Sequence, residues 1–185
     1  MKQTIFAALA LAILALAPTA GHAQDFGAAF GGFNTGSDDP IQIEADKLEV
    51  RDAEKLAVYT GNVKVRQGGT VMESPELKVF YKQQGAAPGA PGSQVTRIEA
   101  GPKVLVSSAK QTASGNQAIL DMGQEVITMS GNVVLTQGEN IVRGERLVVN
   151  LKTKQGRIEG GRVQTLITPG GDGGGKNGGK GGGKK

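Results

Sequence analysis

Four carboxylates are the residues best placed to do chemistry, because each stands at a turn or at the start of an apolar strand: Glu44, Asp46, Glu76 and Glu145. Paired carboxylic acids can hydrolyse glycosidic bonds, so this set would fit a glycosidase. Basic residues alternate with them, however, which is typical of ion pairs on a solvent-facing surface. We therefore expect these carboxylates to serve surface and turn structure, and we expect no enzymatic activity.

The composition excludes most other catalytic and metal-binding chemistry. The chain has no cysteine and a single histidine, His22, which lies in a segment that resembles a removable signal. Without His22 there is no nucleophile–histidine pair and no imidazole or thiolate metal ligand. A phosphate-loop pattern at 170–176 is followed by Asn177 where Ser or Thr is required, and no strand-then-helix pattern surrounds it. We expect no catalytic residue, no metal site and no cofactor.

The 185 residues divide by composition into four segments. Residues 1–23 are typical of a cleavable secretory signal, with a basic start, an apolar run at 5–17 and small residues before position 24. An uncleaved membrane anchor is the alternative, but the run is shorter than the roughly 20 residues that span a bilayer. Residues 24–40 form a Gly- and Phe-rich leader, 41–168 a strand-rich body, and 169–185 a Gly/Lys tail that we expect to be disordered. The mature protein is therefore predicted to be exported.

The flanking segments leave their roles open. Phe26, Phe30 and Phe33 of the leader could cap an apolar interior or anchor a partner, although a loose linker is the simpler interpretation. The tail lysines could meet lipid phosphates, although a solvated tail is simpler. Of 21 Lys and Arg, one lies in the signal and four in the tail, and of 17 Asp and Glu one lies in the tail, so 16 of each sign remain. The leader and body together therefore carry no basic excess, which does not fit a nucleic-acid partner.

The body repeats itself seventy residues apart. Residues 59–81 (YTGNVKVRQGGTVMESPELKVFY) align without a gap on residues 129–151 (MSGNVVLTQGENIVRGERLVVNL), and an internal repeat constrains the architecture. Aliphatic residues alternate with charged and polar ones, which is the period of strands with one wet face. We predict that each unit is a pair of strands around a Gly-Asn turn. The body is then all-β, with more than a dozen short antiparallel strands in two facing sheets, a jellyroll-like sandwich.

The alternation of apolar and polar residues does not show whether the interior is a filled core or a ligand-binding groove, because both give the same pattern. It also leaves open whether Leu56 and Val58 or Ala57 and Tyr59 face inward. The terminal strands at 41–50 and 162–168 would present free backbone donors and acceptors to a second copy, unless the leader or the tail covers them.

Three phrases resemble the OstA-like family: IQIEAD at 41–46, YTGNV at 59–63 with Gln67-Gly68, and MSGNV at 129–133. The resemblance covers residues 41–168. It implies a V-shaped β-jellyroll of two antiparallel sheets whose apolar groove holds the acyl chains of lipopolysaccharide. It also implies head-to-tail assembly into a bridge between inner and outer membranes. The signal and the short chain favour the periplasmic carrier of the family; the alternatives are a relative acting as the LptC-type inner-membrane component and a structural β-repeat protein that binds no lipid.

The resemblance assigns the groove to the inward-facing aliphatic positions. The predicted lining is Ile43, Leu48, Val50, Val63, Val65, Leu77, Val79, Ile98, Val104, Leu120, Met129, Val133, Leu135, Ile141, Leu147, Val149 and Ile158. The implied partners are lipopolysaccharide through the acyl chains of lipid A, further copies of the chain, and LptC-like and LptD-like proteins at the two ends.

Overall fold

The computed structural model describes residues 28–33, 39–82 and 94–168. In these three ranges the chain forms twelve antiparallel strands, all connected by strand pairing, and two short 3₁₀ turns. This confirms the predicted all-β class. The predicted signal, the predicted tail and most of the leader fall outside the described residues. No helix within the described ranges has the length and apolar character needed to cross a membrane.

The strands follow one another with short connections. Their bounds are β1 Gln42–Glu44, β2 Lys47–Arg51, β3 Leu56–Gln67, β4 Thr70–Lys82, β5 Gln94–Gly101, β6 Val104–Ser107, β7 Gln111–Gly115, β8 Gln117–Asp121, β9 Val126–Gln137, β10 Asn140–Asn150, β11 Gln155–Glu159 and β12 Gln164–Leu166. The 3₁₀ turns are Ala28–Phe30 in the leader and Asp52–Glu54 between β2 and β3.

The four long strands, β3, β4, β9 and β10, each belong to two sheets. Each pairs with one short strand along its first half and with a different one along its second half, so that β3 pairs with β2 and then β1, and β4 with β6 and then β5. The first sheet runs β2-β3-β4-β5-β8-β9-β10-β11, and the second runs β1-β3-β4-β6-β7-β9-β10-β12. The described strands number twelve rather than more than a dozen, because each long strand serves both sheets.

The Gly-Asn pairs are bends inside strands, so their prediction as hairpin turns is wrong. Gly61 and Asn62 lie within β3 with φ of +79° and +46°, and Gly131 and Asn132 lie within β9 with φ of +77° and +51°. The ladder of β3 on β4 shifts register at this point. A bulge of this kind bends its strand sharply, which carries the strand from one sheet into the other. The chain reverses direction later, between β3 and β4 and between β9 and β10.

The sequence repeat is the core of a six-strand unit that occurs twice. Strands β1 to β6 make among themselves the same pairings that β7 to β12 make. The two units join side by side because β5 pairs with β8 in one sheet and β6 pairs with β7 in the other. Within the described residues, β1 and β2 form the edge at one end of the molecule, and β11 and β12 form the edge at the other.

Candidate functional site

Two apolar rows cross the inner face of the first sheet from edge to edge. Successive cross-strand partners form the row Leu48, Tyr59, Leu77, Ala100, Ala118, Met129, Leu147 and Ile158. The second row is Val50, Ala57, Val79, Ile98, Leu120, Ile127, Val149 and Gly156. Ala57 and Tyr59 therefore face inward, while Leu56 and Val58 are buried on the opposite face.

The second sheet contributes a matching row that faces the first. Its members are Ile43, Val65, Met72, Val106, Ala113, Leu135, Val142 and Thr165. Beyond this row, farther from the bends, buried side chains of the second sheet are polar, namely Gln67, Thr70 and Gln111. The interior is thus apolar near the bends and becomes polar near the hairpin ends of the second sheet.

A cavity of about 200 Å³ lies between the two sheets on the side of the first repeat. It is lined by Phe30, Phe33, Asp39, Ile41, Ile43, Val65, Gln67, Met72, Leu77, Ile98, Ala100, Val106, Ala118, Ile119, Leu120, Met122 and Ile127. All but Asp39 and Gln67 are apolar. Of the long strands of the second repeat only Ile127 reaches it, because Met129, Val133, Leu147 and Val149 there are packed to 0–1% exposure.

Two alanines at the junction of the repeats make room for the cavity. Ala100 and Ala118 are direct partners across β5 and β8, both line the cavity, and they are 5% and 7% exposed. Because the two units have the same strand pairings, Ala118 on β8 is equivalent to Leu48 on β2. In the same way, Ala100 on β5 is equivalent to Ile158 on β11. The row therefore has small side chains at its centre, whereas the equivalent positions at its two ends have large ones.

The predicted lining residues divide into four groups. Five line the cavity, namely Ile43, Val65, Leu77, Ile98 and Leu120. Eight are buried in the closed part of the interior, namely Val63, Val79, Val104, Met129, Val133, Leu135, Leu147 and Val149. Leu48, Val50 and Ile158 lie on the inner face of the edge strands, where Leu48 is 51% and Val50 43% exposed. Ile141 is not on the inner face at all.

Ile141 faces outward because β10 changes phase at its bend, where Glu145 alone separates the paired residues of β10 while Gly131 and Asn132 separate those of β9. Alternation counted back from Leu147 points Ile141 inward, but the ladder of β10 on β9 shifts between Gly144 and Arg146. The shift moves the inward position to Val142, which is 6% exposed. The prediction that Ile141 lines the groove is therefore wrong.

The cavity lining includes aromatic and small residues that are not among the predicted lining positions. For Phe30 and Phe33 a loose linker was the simpler interpretation and capping of the apolar interior the alternative; Phe30 is only 1% exposed and belongs to the core. Met72 was missed because β4 changes phase at its bend just as β10 does. Ala100 and Ala118 gave no signal, since alanine in a strand is read as neutral. Three phenylalanines in a Gly-rich leader were the one available clue to a docked segment.

The outer faces carry charges in pairs, and three of the four candidate carboxylates have structural contacts there. Glu44 pairs with Arg66 at 2.6 Å and Glu76 with Lys78 at 3.1 Å, while Asp46 accepts a hydrogen bond from Asn62 at 2.8 Å. Such exposed pairs contribute about 0–1 kcal/mol each. No group of three or more acidic, His or Cys side chains in the described ranges could hold a metal ion.

Glu49 and Tyr81 are two of the four groups of the described residues whose pKa values are clearly shifted. Hydrogen bonds from Arg51 and Lys47 lower the pKa of the Glu49 carboxyl on β2. Burial raises the pKa of Tyr81, and nearby Asp52, 3.4 Å from the phenol oxygen, raises it further. Neither group lines the cavity. Apart from Asp39 and Gln67 the cavity lining is apolar, which suits an apolar ligand.

Comparison with known proteins agrees with this arrangement. Residues 42–155 match the family described as "LptA/(LptD N-terminal domain) LPS transport protein". An uncharacterized protein of Rhizobium meliloti is 39% identical over 170 residues, which are 89% of this chain and 91% of the relative. The lipopolysaccharide export system protein LptA of Haemophilus influenzae is 24% identical over 140 residues, 70% of this chain and 77% of the relative.

A solved structure shows the same fold. It is that of LptH from Pseudomonas aeruginosa, described as the LptA homologous periplasmic component of the lipopolysaccharide transport device. It superposes with a TM-score of 0.58 at 18% identity and covers 70% of this chain and 96% of that one. The jellyroll is thereby confirmed, and the resemblance to OstA-like proteins is confirmed by the family match. The chain belongs to the LptA/(LptD N-terminal domain) family of lipopolysaccharide transport proteins.

Proposed function

We propose that this protein is a periplasmic carrier that holds the acyl chains of lipopolysaccharide between its two sheets and assembles head to tail. The observation that carries the proposal is the pair of unbroken apolar rows across eight strand segments, with an open apolar cavity above their centre. Support for the ligand comes from the family and from the names of the Haemophilus and Pseudomonas relatives. Support for the compartment comes from the export signal predicted at 1–23 and from the description of the Pseudomonas relative as periplasmic.

The physical gain from such a site is large and needs no catalysis. Removing an acyl chain from water is favourable by about 0.8 kcal/mol for each methylene, so a long chain gains on the order of 10 kcal/mol gross. Apolar cavities of about 150 Å³ stay dry and accept apolar ligands. The cavity of about 200 Å³ belongs to that class. Its half-buried lining residues on β1, β5 and β8 connect it to the rest of the inner face.

Head-to-tail assembly is supported by the joint that already exists inside the molecule. There the β5 and β6 edge of the first unit pairs with the β8 and β7 edge of the second. Among the described residues β11 and β12 form one edge, with the same place in their unit as β5 and β6, and β1 and β2 form the other, with the place of β7 and β8. A second copy can therefore add by repeating the internal joint, and contacts between unlike edges grow linearly. LptC-like and LptD-like proteins would meet the two terminal edges in the same way.

The internal register gives the register of the external joint. Ala100 pairs with Ala118 inside the molecule, and the repeat places Ile158 and Leu48 at those two positions. Ile158 would therefore face Leu48 of a second copy, and the half-exposed apolar row would continue from copy to copy. One residue along the same ladder, Arg157 would face Glu49 of that copy, which pairs opposite charges.

Filling the cavity tests the carrier function. Ala118→Leu adds three carbons to the cavity floor, so it should weaken binding of purified lipopolysaccharide at least tenfold in a fluorescent lipid A displacement assay. The matched control is Ala53→Leu, the same change at an exposed alanine of the Asp52–Glu54 turn, which should bind as the wild type does. Unchanged affinity in a folded Ala118→Leu protein would contradict binding at the cavity, and absence of saturable binding to the wild type would contradict the carrier function.

A further inference from the structure

The described part of the leader, residues 28–33, lies inside the jellyroll rather than beside it; we name it the leader turn. Its 3₁₀ turn packs against β6 and β7, where the two repeats meet in the second sheet. Ala29 is 0% and Phe30 1% exposed, and Phe30 lines the cavity together with Phe33. An aromatic side chain therefore occupies the apolar interior at its middle.

The inner face is shaped to receive this turn. Ala113 on β7 packs in the same core as Phe30 and is the equivalent, in the second unit, of Ile43 on β1. The smaller alanine side chain leaves space for Phe30 at this point. The backbone N–H of Gly32 donates to Thr70 Oγ1 at 3.1 Å, and a Cβ at Gly32 would come within 2.7 Å of the carbonyl oxygen of Gln67. The leader turn is thus fitted against the polar end of the second sheet.

The attachment is nevertheless local. The leader turn joins no strand ladder, and its own backbone bond runs from Phe33 N–H to the carbonyl of Phe30 at 2.9 Å. Beyond it, Gln67 Nε2 donates to the carbonyl of Asp39 at 3.3 Å. Segments held by a few side chains and no ladder open more readily than the sheets that they cover. The leader turn can therefore leave without breaking either sheet.

We propose that Phe30 is an internal competitor for the acyl-chain site: it occupies the middle of the groove in the lipid-free protein and is displaced when lipopolysaccharide binds. This inference rests on the carrier function proposed above. The inner rows continue across the junction of the repeats, and Phe30, whose turn packs on β6 and β7 at that junction, both lines the open cavity and belongs to the buried core. A lipid chain that follows the rows across the junction meets Phe30, and both cannot occupy that place.

Removing the competitor should strengthen lipid binding. When a segment must leave before the ligand binds, the apparent affinity is the intrinsic affinity multiplied by the fraction of molecules in which the segment is undocked. Phe30→Ala in the full mature chain should therefore bind purified lipopolysaccharide on the order of tenfold more tightly, which corresponds to about 1.4 kcal/mol. The matched control is Phe80→Ala, which removes a half-buried phenylalanine from the outer face, 5.8 Å from the Arg97 guanidinium, and should leave affinity unchanged.

Displacement can be observed directly because the chain contains no tryptophan. Phe30→Trp should emit as a buried indole without lipid and shift to longer wavelength as lipopolysaccharide is added, with a midpoint equal to that of binding. Phe80→Trp should show no such shift. Equal or weaker binding by Phe30→Ala, or a Phe30→Trp emission that lipid does not move, would overturn the competitor and leave the carrier function standing. Absence of saturable binding to wild type and variants alike would overturn both.

Discussion

Asn62 donates a hydrogen bond from Nδ2 to Oδ2 of Asp46, 2.8 Å away, and this contact ties the bend of β3 to the start of β2. The backbone repeats the connection, because the N–H of Asp46 donates to the carbonyl of Gly61 at 2.9 Å. In the second repeat the N–H of Asn116 donates to the carbonyl of Gly131 at the same distance. Each bend is therefore held by the connection between the two short strands that precede it, and the bends set the angle between the two sheets.

The glycine of the second bend should not tolerate a side chain. Gly131 has φ of +77°, and a Cβ there would lie 2.6 Å from Nδ2 of Asn116. We expect Gly131→Ala to lower the free energy of unfolding by about 1–2 kcal/mol, the cost of left-handed backbone for an L-residue. Urea denaturation measures this. Gly69→Ala is the control, since nothing lies within 4 Å of its Cβ position and its φ is not positive; equal losses in the two variants would contradict the explanation.

The repeat made the fold predictable, and the bends made part of the site unpredictable. Period-2 alternation identified the strands and most inward positions, but Gly-Asn is the same local signal in a hairpin turn and in a bulge. The two differ only in what the flanking residues pair with. The single skipped residue at the bend of β10, Glu145, was enough to turn Ile141 outward. The cavity depends on the Ala100–Ala118 pair and on docked Phe30, and both are long-range contacts that alternation does not specify.

Stability should fall at alkaline pH through the two tyrosines. Burial raises the pKa of Tyr59 and, with Asp52, that of Tyr81 above the ordinary value of 10.0. The unfolded chain then ionises first, so this contribution is complete below pH 10 and is lost as pH rises through the folded values. Unfolding free energies at pH 8 to 11.5 should show the loss, and the Tyr59→Phe/Tyr81→Phe double variant should reduce it. A double variant that loses as much as wild type would refute the assignment.

The same substitution should affect stability and lipid binding differently in the packed core and at the cavity. Leu135 is 4% exposed in the closed interior, so Leu135→Asn leaves an amide buried among aliphatic side chains and should cost about 3 kcal/mol or more. Leu120 is half-buried and lines the cavity, so Leu120→Asn should cost less stability but weaken lipopolysaccharide binding at least tenfold. Thermal unfolding and lipid displacement on the two variants decide the matter; the reverse order of effects would place the site elsewhere.

The register of the external joint can be tested by cross-linking, because the chain has no cysteine of its own. The internal Ala100–Ala118 pair predicts that Ile158 faces Leu48 of the next copy. Directly opposed strand residues lie within the Cα separation that a disulfide spans. Ile158→Cys/Leu48→Cys should therefore form a ladder of oligomers on non-reducing gels after mild oxidation, which reduction collapses to one band. Ile158→Cys/Leu105→Cys should not, because Leu105, 41% exposed against 51% for Leu48, lies away from the edge; equal ladders from both would contradict this register.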